Sequence, residues 1–336
     1  MAKCLVIGAS SFIGVYVVDA FLEAGYEVVV TGRNGRLKEH YEKRHIGYVD
    51  FDLSNERAVT ALPKDIDVVA HLAGRLPASS ESHLIVGDDD AAMYIKENAL
   101  SVAYLLEWAS DCGIDRIIST VSYADVQNAW SIEHPITEAM GRDFCLYGDH
   151  AAYVISKNAA CDLLLYYNNQ HHMKNIIFRL PPVYGVGPHL SLNVNGIAKR
   201  SGIGHFIDLA KTGERITVYG DGSDCRDIVY VKDVAQAFVK AAMSEKAAGL
   251  YNIGSGVPTP LYEQAKAIAD VFSSGGIVSE VELDETKSNS IVSYSMDISK
   301  AMRDFGYAPA FACFRDLMLD WKREEDRGVY GPLFQV

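Results

Sequence analysis

Three polar residues in the middle of the chain have types and a spacing suited to acid/base chemistry. Tyr153 and Lys157 are four residues apart, so both side chains share one face if the segment is a helix. A lysine ammonium beside a phenol lowers the pKa of the tyrosine, which fits it to act as a general acid or base near neutral pH. Ser122, at the end of a predicted strand, is suited to hydrogen-bond the same substrate oxygen. A tyrosine and a lysine four residues apart also occur by chance, as a pair on the surface of a helix.

A glycine turn near the N-terminus predicts a phosphate-binding site. From residue 3 the sequence reads KCLVIGASSFIG, an apolar strand-like run followed by an amphipathic segment over Phe12–Glu23. The free N–H groups and the dipole of such a helix face an anion. Gly8 allows a sharp turn and Gly14 allows close packing of helix on strand, while Ser11 replaces the usual middle glycine and keeps a backbone N–H to donate. Taken by itself, this pattern is explained equally well by an ordinary strand-to-helix turn that binds no phosphate.

Size, charge and cysteine content narrow the class of protein. The 336 residues are 49% hydrophobic and 22% charged, and the net charge of −13 argues against a nucleic-acid or anionic-membrane binder. The six cysteines are scattered without a CxxC pair, so we expect no zinc site, no disulfide framework and reduced thiols in a cytoplasm. Neither a signal peptide nor an apolar run long enough to span a bilayer is evident.

Strand-like and helical segments alternate through the first half of the chain. Strands are predicted at 27–31, 66–72, 116–120 and 175–180, and a helix at 93–112. Such alternation predicts a doubly wound parallel sheet of the Rossmann type, with ligands at the carboxyl ends of its strands.

Beyond residue 180 glycines, prolines and short apolar runs prevail. We therefore expect a dinucleotide-binding domain over residues 1–180 and a smaller, mixed substrate-binding domain over 181–336. The two are predicted to interleave through a returning strand near 225–250, with 228–231 as a candidate. Helices are predicted at 234–243 and 261–272.

The segment after the second strand bears on the choice of cofactor. An NAD site usually has an acidic residue there, whereas a ribose 2′-phosphate requires Arg. Arg33 stands in this region and the first acidic residue is Glu39, which favours NADP over NAD; a solvated basic loop is the alternative. Asp52, after the third strand-like run, either accepts from the adenine amino group or caps a helix.

Two further polar residues lie near the predicted ligand edge. His71 begins the segment HLAG, where the backbone passes close to a cofactor, but a lone histidine there is more often a buried core residue than a catalyst. Asn98, in the predicted helix, is suited to be a buried polar bridge to a neighbouring strand.

Taken together, these segments resemble the extended short-chain dehydrogenase/reductases of the NAD-dependent epimerase/dehydratase family. Beside GASSFIG and the YVISK of Tyr153, the chain contains HLAG, RLPPVYGVGP from Arg179, GDGSDCRDIVYVKDVA from Gly220, YNIGSG from Tyr251 and DISKAMRDFGYAP from Asp297. The motifs follow the family's order over nearly the whole length.

The resemblance implies a nicotinamide cofactor on the Rossmann domain and a substrate on the smaller domain. Tyr153 becomes the catalytic acid/base, Lys157 binds the nicotinamide ribose, and Ser122 assists. With Tyr153 and Lys157, the implied cofactor-binding residues are Gly8, Ser10, Ser11, Phe12, Ile13, Gly14, Arg33, Asp52, Leu53, Leu72, Ala73, Gly74 and Asn98.

The C-terminal motifs resemble those of members that act on nucleotide-activated sugars. Arg226 is expected to contact the nucleoside diphosphate, with a salt bridge to Asp227 or Asp233 as the alternative. His189 resembles the histidine that serves as a second acid/base in reductase/epimerases that make GDP-fucose, but a histidine at such a position is more often an ordinary surface loop residue.

Two asparagines, Asn193 and Asn195, are candidates for the loop that covers the sugar. The segment STVSYADV after the Ser122 strand lacks the Thr-Asp-Glu of the family's 4,6-dehydratases, and no obvious carboxylate replaces it. Dehydration of the sugar is therefore disfavoured.

These features predict an NAD(P)-dependent nucleotide-sugar epimerase that acts at a sugar carbinol, most plausibly C4. The alternatives are an NADPH-dependent reductase of 4-keto sugars and a non-catalytic dinucleotide sensor. In the family the helices carrying Asn98 and Tyr153 pair across a dimer, so we expect a homodimer. The apolar face of Leu163, Leu164, Tyr166 and Tyr167 suits such an interface or an ordinary core.

Overall fold

The structure is a computed structural model that describes residues 1–33, 35–77, 91–147, 149–194, 197–273, 276–289 and 291–334. Its strands are β1 (Lys3–Ile7), β2 (Glu27–Gly32), β3 (Gly47–Asp50), β4 (Val68–His71), β5 (Ile117–Ser122), β6 (Ile176–Leu180), β7 (Val183–Tyr184), β8 (Ser191–Val194), β9 (Ile197–Arg200), β10 (Ile216–Tyr219), β11 (Cys225–Arg226), β12 (Val229–Tyr230), β13 (Gly249–Asn252), β14 (Thr259–Pro260) and β15 (Val281–Asp284).

Its α-helices are α1 (Phe12–Glu23), α2 (Lys38–Lys43), α3 (Ala91–Tyr94), α4 (Ser101–Asp111), α5 (Asp149–Gln170), α6 (Gly202–Thr212), α7 (Val231–Met243), α8 (Leu261–Phe272), α9 (Ser299–Phe305) and α10 (Phe314–Arg327). A π-helical segment, Ile95–Leu100, joins α3 to α4. Short 3₁₀ turns occupy Glu56–Ala61, Tyr123–Ala129, Pro188–Leu190 and Gly331–Phe334. In the described ranges no helix has both the length and the apolarity needed to cross a bilayer.

Within the described part of the chain, seven parallel strands form the central sheet in the order β3-β2-β1-β4-β5-β6-β13. The chain moves outward from β1 to β3 on one side and from β4 onward on the other. The crevice between β1 and β4 is therefore the switch point at which such sheets bind ligands. The predicted Rossmann-type doubly wound fold is confirmed.

The central strand is buried on both faces. Residues 4–7 of β1 have no exposed surface. Cys4 and Val6 pack in the core that contains α1 and α7, while Leu5 and Ile7 pack in the core beneath α4 and α5. This two-sided burial explains the continuous apolar run in the sequence, which is typical of parallel strands covered by helices.

The helix predicted over 93–112 is interrupted. Residues Ile95–Leu100 are π-helical, and the α-helical pattern resumes only at Ser101. A π-segment inserts extra residues into a helical turn and occurs mostly at functional sites. It sets the direction of the Asn98 side chain, which is buried at 2% exposure.

The returning strand is not the expected segment 228–231. The strand that joins the sheet is β13 (Gly249–Asn252), which pairs with β6, whereas β12 (Val229–Tyr230) pairs with β7 in a separate small sheet. Because β13 occupies the free edge of β6, the apolar residues of β12 find their backbone partners outside the main sheet.

A buried ion pair connects β6 with the turn after β5 and with the returning strand β13. Arg179 of β6 donates through Nη2 and Nε to Asp125 Oδ2, at 2.8 and 3.2 Å. Its Nη1 donates to the Thr137 carbonyl at 3.0 Å and to Asn252 Oδ1 of β13 at 3.3 Å. Both charged side chains are at most 5% exposed. One guanidinium thus holds together the turn after β5, the strand β6 and the returning strand.

Replacing Arg179 with methionine should destabilise the fold strongly, because Asp125 is then left buried without its cationic partner. We expect the free energy of unfolding in urea to fall by about 3–5 kcal/mol. Arg215, which pairs with Glu282 at the surface, provides the matched control: Arg215→Met should cost about 0–1 kcal/mol. Equal losses for the two variants would contradict the role assigned to Arg179.

Candidate active site

The turn between β1 and α1 has no room for side chains. Gly8 has a φ of +89°, and a Cβ added there would lie 2.6 Å from the backbone nitrogen of Ala73. A Cβ on Gly14 would lie 2.2 Å from the Gly8 carbonyl oxygen. Both glycines are therefore required by close backbone approach, and the resulting cradle at a helix N-terminus fits the pyrophosphate of a dinucleotide.

Ser11 works differently from the prediction. Its backbone N–H donates to the Gly8 carbonyl at 2.9 Å within the turn, so it is not available to a phosphate. Its hydroxyl oxygen instead accepts from the Gly14 N–H at 3.1 Å and caps α1. The serine stabilises the helix start, which leaves anion binding to N–H groups of the first helical turn.

The end of β4 is drawn against β1. The N–H groups of Leu72 and Ala73 both donate to the Ile7 carbonyl, at 2.8 and 3.1 Å. Gly74 follows, and a Cβ there would lie 2.8 Å from Asn98 Oδ1. The segment after β4 therefore lies beside the glycine turn at the switch point of the sheet, and its contact with a cofactor stays a prediction.

Asn98 is a buried polar bridge, but it links a loop to a helix rather than to a strand. Its Oδ1 accepts from the Arg75 N–H at 2.6 Å, and its Nδ2 donates to the Arg75 carbonyl at 3.0 Å. Nδ2 also donates to Ser156 Oγ on α5 at 2.9 Å, and that hydroxyl donates to the Tyr153 carbonyl at 2.7 Å. The bridge fixes the loop after β4 relative to the helix that carries Tyr153 and Lys157.

The helix α5 presents Tyr153 and Lys157 one turn apart, with Lys157 only 8% exposed. Burial lowers the pKa of Lys157 to about 8. Burial raises the pKa of Tyr153, and Tyr94, whose ring centroid lies 6.3 Å away, raises it further. The lowering of the phenol pKa that we expected from Lys157 is therefore not found in the protein alone, because desolvation of the phenolate prevails.

Ser122 is the last residue of β5 and is half-buried. Its hydroxyl oxygen accepts from the Ala124 N–H at 3.1 Å and so begins the 3₁₀ turn that follows. A hydroxyl has one hydrogen to donate besides its acceptor positions. Since α5 packs on β5 and on this turn, Ser122 lies on the same edge of the sheet as Tyr153 and Lys157.

His71 is a buried core residue, as the more frequent alternative predicted. It is 2% exposed, its Nδ1 lies 3.1 Å from Ser119 Oγ, and its Nε2 is buried without a hydrogen-bond partner in the described structure. Burial and the charge of Lys157 lower the pKa of His71 to about 3, so the ring is neutral in the folded protein.

Two acidic residues that sequence reasoning passed over lie at this edge of the sheet. Asp125 is a carboxylate in the turn after Ser122, where none was expected, but its ion pair with Arg179 keeps it in the interior. Asp50 ends β3 opposite Gly32 and accepts from the Gly35 N–H at 3.1 Å. Asp50 reaches the loop after β2 through the pairing of β3 with β2. The residues that directly follow β2 in the sequence therefore did not reveal it.

The loop after β2 carries Arg33 to the surface, where its side chain is exposed. Asp52 Oδ1 accepts from the Ser54 N–H at 2.9 Å, and this bond lowers the pKa of Asp52, with smaller effects from Arg33 and Lys96. The cap of the 3₁₀ turn Glu56–Ala61 is Asn55, so the interpretation of Asp52 as a helix cap is wrong.

Arg226 on β11 forms no salt bridge with either neighbouring acid. Asp227 accepts from Ser255 and from the N–H groups of residues 256 and 296, and Asp233 accepts from the N–H groups of residues 310 and 311. Arg226 Nε is buried without a partner in the described structure. The alternative of a salt bridge is therefore wrong for this part of the chain, and the guanidinium suits an external anion.

Aromatic rings that the sequence analysis missed surround this arginine. Tyr123 stacks on Trp130 with centroids 4.7 Å apart, and Tyr294 lies 5.0 Å from Tyr123. The charge of Arg226 acts on both tyrosines and opposes the rise of their pKa values that burial causes. Since Tyr123 directly follows Ser122, this aromatic cluster connects the acid/base edge with Arg226.

The remaining candidates lie outside the described residues. This holds for Asn195 as a whole and for the side chains of His189 and Asn193. Their proposed roles stay predictions.

The parallel sheet, the glycine cradle and the paired tyrosine and lysine define a dinucleotide-binding protein of the short-chain dehydrogenase/reductase type. A profile of the NAD dependent epimerase/dehydratase family matches residues 4–254. The chain belongs to this family, and the resemblance seen in the sequence is confirmed.

Individual relatives are distant. The chain is 27% identical over 284 residues to UDP-glucuronic acid decarboxylase 1 of Xenopus tropicalis, covering 82% of this chain and 62% of that protein. It is 26% identical over 337 residues to a putative UDP-glucose 4-epimerase of Methanocaldococcus jannaschii, covering 96% and 99%. The solved UDP-glucuronic acid 4-epimerase of Bacillus cereus, in complex with UDP-glucuronic acid and NAD, shares the fold with a TM-score of 0.73, 21% identity and coverage of 98% and 100%.

Acid should destabilise the protein through His71. The ring titrates near 6.5 when unfolded and near 3 when folded, so the stability it contributes is present above pH 6.5 and is lost as the pH falls towards 3. Between pH 7 and pH 5 the free energy of unfolding should fall by about 2 kcal/mol more in the wild type than in His71→Asn. Urea unfolding at both pH values measures this difference, and parallel pH dependences would refute the assignment.

Proposed function

We propose that the protein is an NAD(P)-dependent nucleotide-sugar epimerase that inverts a carbinol at C4. The observation that carries this proposal is Arg226, a half-buried guanidinium that pairs with neither Asp227 nor Asp233. The aromatic cluster of Tyr123, Trp130 and Tyr294 lies between Ser122 and the place where Arg226 would bind an anion. A hexose that links its diphosphate to its reacting carbon suits that arrangement. The named activities of the two relatives described above, on UDP-glucose and UDP-glucuronic acid, support the same substrate class.

The chemistry follows from three side chains. Tyr153, as phenolate, takes the proton of the sugar hydroxyl, and Ser122 donates a hydrogen bond to the same oxygen. Lys157 holds the nicotinamide ribose. When bound, the oxidised nicotinamide supplies a hydride acceptor and a positive charge that opposes the raised pKa of Tyr153. Once the keto sugar has rotated in the site, Tyr153 would return the proton to the same oxygen, and the cofactor held by Lys157 would supply hydride to the opposite face and end unchanged.

We further propose that NADP is favoured over NAD. Arg33 is exposed at the end of β2, and the nearby Asp50 carboxylate is engaged with the Gly35 N–H. A guanidinium in that position suits a 2′-phosphate. The same observation favours the second candidate, an NADPH-dependent reductase of 4-keto sugars, since NADPH commonly serves reduction. The Bacillus cereus epimerase, in contrast, is in complex with NAD.

A homodimer in the cytoplasm completes the proposal. Large apolar side chains are exposed on the π-segment (Ile95 40%, Leu100 41%) and on α5 (Ile155 42%, Tyr166 52%). Leu164, which was a candidate for this face, is instead buried in the core of its own chain. The six cysteines, all in described parts of the chain, are free thiols, which suits a reducing compartment.

Tyr153→Phe should lower kcat by about 100- to 10,000-fold while cofactor binding stays intact, because only the proton-transferring oxygen is lost. Arg226→Met should instead raise the KM for the nucleotide sugar by about tenfold or more. A panel of nucleotide sugars, assayed with and without NADPH, measures both effects.

The panel also separates the candidates. Isomerised sugar without net NADPH consumption supports the epimerase, whereas NADPH oxidation that requires a 4-keto sugar would make the protein a reductase. Release of carbon dioxide from UDP-glucuronic acid would redirect the proposal to a decarboxylase. Indifference of every reaction to Tyr153→Phe would favour a non-catalytic sensor.

Arg33→Ser should weaken NADP binding by about tenfold or more and leave NAD binding nearly unchanged, because only the 2′-phosphate loses its partner. Fluorescence titration with both cofactors measures the two dissociation constants. Arg36→Ser, at an exposed position three residues on, is the control and should alter neither by more than about twofold. Equal weakening of NAD and NADP by Arg33→Ser would refute the preference.

A further inference from the structure

A histidine outside the family motif lies against the proposed acid/base. His150 is in the first turn of α5, three residues before Tyr153, so the two side chains share one face of the helix. Their ring centroids are 5.6 Å apart with the planes inclined by 59°. Both residues are half-buried. In the described structure no direct hydrogen bond joins the imidazole to the phenol, so the path that we infer between the two neighbouring rings runs through one water.

The proposed reaction requires a group near Tyr153 that can accept its phenol proton. Tyr153 must be a phenolate to take the proton of a sugar hydroxyl, yet burial opposes this, and Tyr94 from α3 opposes it further. Lys157, on α5, lies so deep that its own charged form is disfavoured. His71, from β4 near Lys157, is neutral. Among the protein's side chains, an imidazole is the group that ordinarily accepts a proton near neutral pH.

We propose that His150 takes the phenol proton of Tyr153 and holds it while Tyr153 acts on the substrate. This inference rests on the proposed function, in which Tyr153 is the acid/base. The O–H bond of Tyr153 breaks as an N–H bond forms on His150, which gives a phenolate beside an imidazolium. The phenolate then takes the hydroxyl proton of the sugar as its C–H hydride leaves to the oxidised nicotinamide. Reversal of that step regenerates the phenolate, so His150 keeps its proton through the cycle.

The location of His150 on the helix agrees with this role. The N-terminal end of a helix dipole disfavours an isolated imidazolium. A phenolate beside His150 offsets that cost, because the two groups then form a pair of opposite charges. The proton stays on His150 during turnover, so none has to be exchanged with solvent in each cycle. His150 acts through Tyr153 and is a positioning and relay residue, not a residue that contacts the sugar.

The first experiment compares pH profiles of kcat for wild type, His150→Ala and His150→Gln. Both variants should be about 10- to 100-fold slower at pH 7 and should approach the wild-type rate in alkali, where Tyr153 ionises without help. Added imidazole should restore part of the rate of His150→Ala. His134→Ala, at an exposed position, is the control and should match the wild type throughout.

The second experiment needs no sugar and no turnover. The ultraviolet absorbance of phenolate is titrated with pH in the protein and in Tyr153→Phe, and the difference reports Tyr153 alone. Removing His150 should shift that ionisation upward by about one pH unit or more. Unfolding temperatures of all variants establish that each is folded.

The outcomes separate this inference from the proposed function. An unshifted Tyr153 titration in His150→Ala would overturn the role of His150. So would a loss of rate that is equal at all pH values and not relieved by imidazole. If the wild type turned over no nucleotide sugar, the proposed function would fail, yet a shifted titration would still support the pairing of His150 with Tyr153.

Discussion

The site depends on a contact between two backbones that excludes side chains. At the switch point of the sheet, Gly8 at the end of β1 lies so close to Ala73 after β4 that a single added carbon would collide with a peptide nitrogen. The carbonyl of Ile7 binds two consecutive N–H groups of the second segment and holds the approach in place. With the crevice fixed in this way, α1 aims its N-terminus at one point. The loop after β4, tied by Asn98, then fixes the position of α5 and its two catalytic candidates.

Charge is distributed unevenly between the framework and the site. Away from the site, the buried guanidinium of Arg179 pairs with Asp125 and donates to two further oxygen acceptors. In the site, Arg226 has no carboxylate partner among the described residues, and Lys157 is buried with a lowered pKa. Leaving buried positive charge unmatched is costly, so such groups persist where a ligand supplies the counter-charge. A protein with a net charge of −13 thus still contains buried cationic side chains without a matching carboxylate among the described residues.

The features that could be predicted from the sequence are those that depend on local periodicity and on the order of motifs. The bounds of α1 and α8 and the class of the sheet follow from the spacing of apolar residues, and the family follows from its ordered motifs. What the sequence did not predict depends on distant parts of the chain. The π-segment around Asn98 disrupts the helical period, and β13 rather than 228–231 completes the sheet. The pKa of Tyr153 follows from burial, which residue spacing does not reveal. The unpaired state of Arg226 follows from hydrogen bonds that Asp227 and Asp233 make elsewhere.

The position of β13 has a consequence for how the protein is made and how it can evolve. Arg179 and Asn252, which meet at the sheet edge, are 73 residues apart in sequence. The central sheet therefore cannot be completed on the ribosome until the chain has been synthesised past β13, and long-range closure of this kind is slow. For the same reason residues 181–336 are not an independent unit, since β13 lies within them. Exchange of this part of the chain as one block would remove β13 from its partner β6.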